Sequence, residues 1–208
     1  KFNEKIKYGL FPKPFFYTKN LNIIFKDEVL GKSGYTKFNI SYNNFFSPKK
    51  LEIKDLVFQN TEFNTDFNNL NFFNKILKNL KTQNKVIFKK NKLFFRDMDQ
   101  DLLFLSKLKK IDYFYDNTNQ LQKLNSELEI FNIPFNLSVS RNYSDKKKLI
   151  KLSSRKIRLN TETSIEHSDE EINGFFEILS FNKKNLFNYK IENEKLYFLS
   201  KNKNFNGL

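Results

Sequence analysis

Asp97-Met98-Asp99-Gln100-Asp101-Leu102-Leu103-Phe104-Leu105-Ser106-Lys107-Leu108-Lys109-Lys110 is the stretch on which the fold turns. Its features read as a helix. Leu102, Leu105 and Leu108 recur every third residue, with Leu103 and Phe104 widening the apolar stripe. Asp97 or Asp99 suits an N-cap, and Asp101 would complement the positive end of the dipole. Lys107, Lys109 and Lys110 fall where a helix end carries partial negative charge. The same aspartates resemble the start of a calcium loop. No Gly and no twelfth-position Glu follows, so capping is the better reading and no metal is expected.

Upstream, Leu70, Phe73, Ile76, Leu77 and Leu80 keep three- and four-residue spacing, which predicts a helix from about Phe67 to Lys81. Lys85 to Phe95 is rich in Val, Ile and Phe and reads as a strand or hairpin. Downstream, Phe131 to Tyr143, Leu149 to Leu159, Phe175 to Phe181 and Lys195 to Leu199 read as strands. Residues 1–65 hold three of the four prolines and three of the five glycines among scattered aromatics. There Leu21 to Phe25 and Thr36 to Tyr42 suggest strands around a turn at Gly31 to Gly34. The expected fold class is therefore α+β. It comprises an N-terminal extension or arm (1–65), an α/β module of helix, strand, helix and strands (66–145), and a strand-rich C-terminal module (146–208).

The composition is skewed. The 208 residues include 26 Phe, 30 Asn and 33 Lys, but four Arg and no Ala, Cys or Trp. More than half of the chain is Phe, Asn, Lys, Ile or Tyr, whose codons are AT-rich. This points to an AT-rich genome such as a protist mitochondrion, and to an organelle-encoded protein that needs no transit peptide. The absence of Cys excludes disulfides and thiolate chemistry, and the single His167 excludes most His-based metal sites and makes catalysis improbable. No run of 18 apolar residues marks a membrane span. The net charge of +14 favours a polyanionic partner. Codon bias would spread Lys evenly. Instead, residues 141–158 carry eight basic residues and one acid, and residues 159–181 carry six acids and no Lys or Arg.

The order of elements resembles the universal small-subunit ribosomal protein eight family. Ile76-Leu77-Lys78-Asn79 is similar to the end of its first helix, and Leu108-Lys109-Lys110-Ile111-Asp112-Tyr113-Phe114 to the end of its second. Leu137 to Tyr143, the basic run Ile150 to Arg158, Asn173-Gly174-Phe175-Phe176-Glu177-Ile178-Leu179-Ser180 and Asn193 to Phe198 are similar to later segments. The resemblance spans roughly Asp66 to Leu199. It implies a structural constituent of the mitochondrial small ribosomal subunit. The partners would be small-subunit rRNA and neighbouring ribosomal proteins, in the mitochondrial matrix, with no cofactor, small-molecule substrate, membrane or enzymatic turnover. An accessory subunit of a mitochondrial inner-membrane complex is the alternative. An intron endonuclease or maturase is set aside, because its Ala-containing acidic helix or His cluster cannot be built here.

Candidate RNA contacts follow from charge and donor chemistry. Arg155 and Arg158 can fork two donors onto phosphate oxygens. Lys151 and Lys156 add point charges, as do Lys146 to Lys148, and Ser153 and Ser154 can donate to phosphate or ribose. Ser180 to Asn188 reads as a polar loop offering Ser180, Asn182, Lys183, Lys184 and Asn185. Lys75, Lys78 and Asn79 form a second basic group, with Lys89, Lys90 and Lys92 after it. Glu166, Asp169, Glu170 and Glu171 are expected to face solvent or a basic neighbour.

Overall fold

Where the sequence suggested a helix at residues 97–110, the chain makes a turn and then a long strand. The computed structural model describes residues 3–25, 28–41, 53–66, 69, 85–168, 171–192, 195–200 and 206–207. Among them there is no helix, so the expected α+β class and its α/β modules give way to an all-β, mostly antiparallel meander. The helix expected over 67–81 lies outside the described residues apart from Asn69.

The strands are β1 (Lys7–Gly9), β2 (Phe15–Phe25), β3 (Glu28–Ile40), β4 (Ile53–Thr65), β5 (Lys85–Arg96), β6 (Leu102–Asp116), β7 (Leu121–Ile130), β8 (Ile133–Asn142), β9 (Lys147–Ser154), β10 (Leu159–His167), β11 (Glu171–Ser180), β12 (Lys183–Glu192), β13 (Lys195–Ser200) and β14 (Asn206–Gly207). They form two compact units: Lys1–Tyr115 with Ser126–Asn132, and Asp116–Asn125 with Ile133–Leu208. The first 65 residues supply β1 to β4 of the first unit. Gly31 and Gly34 lie inside β3, away from the strand ends where a turn was expected.

In the first unit β2, β3 and β4 pair antiparallel, β4 and β5 parallel, and β5 and β6 antiparallel. A crease crosses these strands. Asn20, Asn60 and Lys90 have φ of 51°, 53° and 54° in mid-strand. The register sets Asn20 and Asn60 on either side of Gly34. A left-handed residue in each of β2, β4 and β5 shifts the pleat by one, so the inward face changes parity there. In β6, Ser106 and Leu108 are buried, and so are Tyr113 and Tyr115. The Leu102, Leu105 and Leu108 spacing lies before that change and follows no single face of the strand, since Leu102 is exposed and Leu108 buried. Asp97 does cap, though within the β5–β6 turn: its Oδ1 accepts from the Asp101 N–H at 2.9 Å.

Small polar side chains line the crease, where Thr18, Ser33, Thr36, Thr61 and Asn91 are almost wholly buried. Thr61 N–H donates to Asn91 Oδ1 at 2.8 Å, and Thr36 Oγ1 donates to Ser33 Oγ at 3.0 Å. Phe58 stacks on Phe88 at 4.9 Å, Phe63 meets Phe88 edge-on at 5.8 Å, and Phe95 stacks on Phe104 at 5.0 Å. The fully buried apolar side chains among the described residues are Leu30, Ile40, Phe63, Val86, Phe95, Leu108, Tyr113, Tyr115 and Leu128. All belong to the first unit.

The second unit includes a run of antiparallel hairpins, β8 to β14. The basic strand expected over 149–159 ends at Ser154, and Arg155 to Arg158 form the turn into β10. The loop expected over 180–188 is a two-residue turn, Phe181-Asn182, followed directly by β12.

Candidate functional site

In the second unit, alternation along each strand sorts side chains onto two faces, and register aligns them across strands. One row across the sheet runs Val139, Ile150, Thr163, Phe176, Phe187, Ser200. Its neighbours on the same face are Leu137, Leu152, Thr161, Ile178, Asn185 on one side and Arg141, Lys148, Ile165, Gly174, Tyr189, Phe198 on the other. Every apolar side chain in these rows is only half-buried. Tyr189 crosses Gly174 to donate its hydroxyl to the Ser164 carbonyl at 2.9 Å, and burial raises its pKa above the ordinary phenol value.

The opposite face sets paired charges beside apolar residues that include Leu149, Phe175 and Leu186. Lys147 pairs with Glu166 at 2.7 Å, Lys151 with Glu162 at 2.9 Å and Lys184 with Glu177 at 2.8 Å, and Lys190 pairs with Glu171 and Glu192. Hydrogen bonds from Lys147 and Lys190 lower the pKa of Glu166 and Glu171 below the ordinary carboxylate value. The basic and acidic blocks of the sequence meet in the β9–β10 hairpin through two of these pairs, Lys147–Glu166 and Lys151–Glu162.

The excess positive charge collects at one end. Ser154 pairs with Leu159, Leu159 with Ser180 and Ser180 with Lys183, forming a polar row that closes the apolar face. Beyond it lie the exposed Arg155, Lys156 and Arg158, and Phe181 N–H donates to the Arg158 carbonyl at 3.4 Å. No ion pair among the described residues involves Arg155, Arg158 or Lys183. Ser154 is 2% exposed, and its hydroxyl has no hydrogen-bond partner.

The structure brings Ser153, Ser154, Arg155, Lys156, Arg158, Ser180, Asn182, Lys183, Lys184 and Asn185 to this one end of the second unit. Ser154 is too buried to reach a macromolecule, and Lys151 and Lys184 are held in ion pairs on the charged face. Lys75, Lys78 and Asn79 lie outside the described residues. Sequence reasoning missed the apolar face itself. Its signal was the alternation Ile172, Gly174, Phe176, Ile178, followed by Phe187, Tyr189, Ile191. Among the described residues no three His, Cys, Asp or Glu side chains converge as metal ligands. The arrangement offers binding chemistry: an apolar track ending in hydroxyls, an ammonium and guanidinium groups.

Compared with protein-family models and with curated proteins, the chain matches none.

Proposed function

We propose that the protein is a non-catalytic binder of anionic amphiphiles, such as phospholipids or fatty acids. The acyl chain lies along the apolar face of the second unit, and the head group sits at Ser180, Lys183 and the Arg155–Arg158 turn. One observation carries this reading. Every fully buried apolar side chain among the described residues is in the first unit, while the second carries an apolar face across six strands with none buried. Soluble monomers rarely leave a contiguous apolar patch beyond a few hundred Å² uncovered. At about 25 cal/mol per Å², covering roughly 400 Å² of such a face gives on the order of 10 kcal/mol before the costs of ordering the ligand. A second copy of the chain is a poorer occupant, because a net charge of +14 opposes self-association. An anion at the basic end is complementary.

The test is displacement of a fluorescent fatty acid from the full chain, purified without detergent, by lysophosphatidylglycerol. Phe176→Asp should weaken binding by at least about tenfold, since it sets a carboxylate in the middle of the apolar track. Wild-type affinity in that variant, or no binding by the native chain, would refute the reading.

Small-subunit rRNA is a second reading, favoured by the convergence of Arg155, Arg158 and Lys183 at one exposed end. The ribosomal resemblance itself leaned on helices, and the one that falls within the described residues is a strand. In this reading Arg155→Ala with Arg158→Ala flattens the salt dependence of rRNA binding by one or two phosphate contacts, at a slope of about 0.7 to 0.9 each. Unchanged affinity and slope would remove it.

A further inference from the structure

The β11–β12 hairpin carries a residue that its turn does not want. Phe181 and Asn182 form a two-residue connection with φ of 46° and 65°, the sign pattern of a type I′ turn. Such turns favour Asn, Asp or Gly first, because a bulky side chain is strained in the left-handed region. Phe181 nevertheless occupies that position with 66% of its surface exposed, so it gains little from packing. Phe131-Asn132, between β7 and β8, repeats the pattern with φ of 50° and 61° and a Phe 73% exposed. Turn formation and core burial explain neither Phe.

The neighbours of Phe181 supply the missing context. Arg158 is bonded to it through the backbone, Arg155 starts the adjacent turn, and Lys183 follows two residues on. An aromatic ring projecting from a rigid turn among cations suits the interface of an anionic bilayer. The ring settles at head-group depth and the cations meet lipid phosphates. We propose that this tip docks the protein onto anionic membrane surfaces. The inference goes beyond amphiphile binding by the sheet face: it shares the cations Arg155, Arg158 and Lys183 with that reading and adds Phe181 and its strained turn.

The experiment is vesicle flotation of the full chain, using phosphatidylcholine alone and phosphatidylcholine with phosphatidylglycerol. The native chain should float with the anionic vesicles and stay behind with the neutral ones. Phe181→Asn, which suits the turn better, should reduce flotation several-fold while unfolding at the same or a higher temperature. Phe181→Trp should restore flotation. Arg155→Ala with Arg158→Ala should weaken binding roughly 25-fold, at about fivefold per cation near an anionic surface. Equal binding to neutral vesicles, undiminished flotation of Phe181→Asn, or a lower unfolding temperature for that variant would overturn the proposal. So would capture of the tip by rRNA with no vesicle binding. Phe181→Asn should still bind soluble lysophosphatidylglycerol normally. If the native chain floats but binds no soluble amphiphile, docking stands and the sheet-face reading falls.

Discussion

At Gly174 the structure uses a missing side chain. A Cβ there would run into the Ser164 carbonyl oxygen and sit 2.6 Å from the Tyr189 hydroxyl. Gly174→Val should therefore break the Tyr189–Ser164 hydrogen bond and destabilise the second unit more than Tyr189→Phe does. The Tyr variant loses only the bond, about 0.5 to 1.5 kcal/mol. Urea unfolding of both variants checks the order, and a harmless Gly174→Val would contradict the close packing. The charged face makes a second prediction at this scale. Lys147 and Lys190 hold the pKa values of Glu166 and Glu171 below those of the unfolded chain. Their contribution to stability is present above the unfolded carboxylate pKa and is lost as pH falls through the lowered folded value. The urea midpoint should drop between neutral pH and about pH 3. Glu166→Gln with Glu171→Gln should blunt that drop.

β6 shows at the scale of an element what the sequence made legible and what it hid. The strands near 85–95, 133–142, 171–180 and 195–200 are rich in β-branched, aromatic and other apolar residues, and they were readable. Residues 97–110 were not, because Leu102, Leu105 and Leu108 keep a three-residue spacing by chance of sequence while Leu102 is exposed and Leu108 buried in one strand, and a local pattern cannot distinguish that from a helical period. Asp97 added to the confusion, since one carboxylate can cap a turn as readily as a helix. Of the candidate site, the cations at the turn were legible from charge. The apolar face was not, because it exists only once register aligns residues far apart in sequence. The crease itself is testable at Lys90, whose φ of 54° is costly for a long side chain. Lys90→Gly should stabilise the first unit by up to about 1 kcal/mol, and Lys90→Val should destabilise it. If Lys90→Gly loosened the fold in denaturant unfolding, the left-handed kink would be wrong.

The whole molecule divides its apolar residues unequally between the two units. The first folds its sheet at a crease and buries its own core. Among the described residues of the second, apolar side chains are concentrated on one face, with others opposite, and none is fully buried. Backbone hydrogen bonds and cross-strand ion pairs hold that sheet in register, and its apolar face remains for a ligand. Stability should therefore be uneven, with the second unit opening at lower free energy when nothing covers it. The most direct test is amide hydrogen exchange read by mass spectrometry, with and without lysophosphatidylglycerol below its micelle concentration. The predicted result is faster exchange in β9 to β12 than in β3 to β6 without ligand, and ligand-induced slowing confined to β9 to β12. Ligand that slows exchange equally in both units, or in neither, would contradict the account.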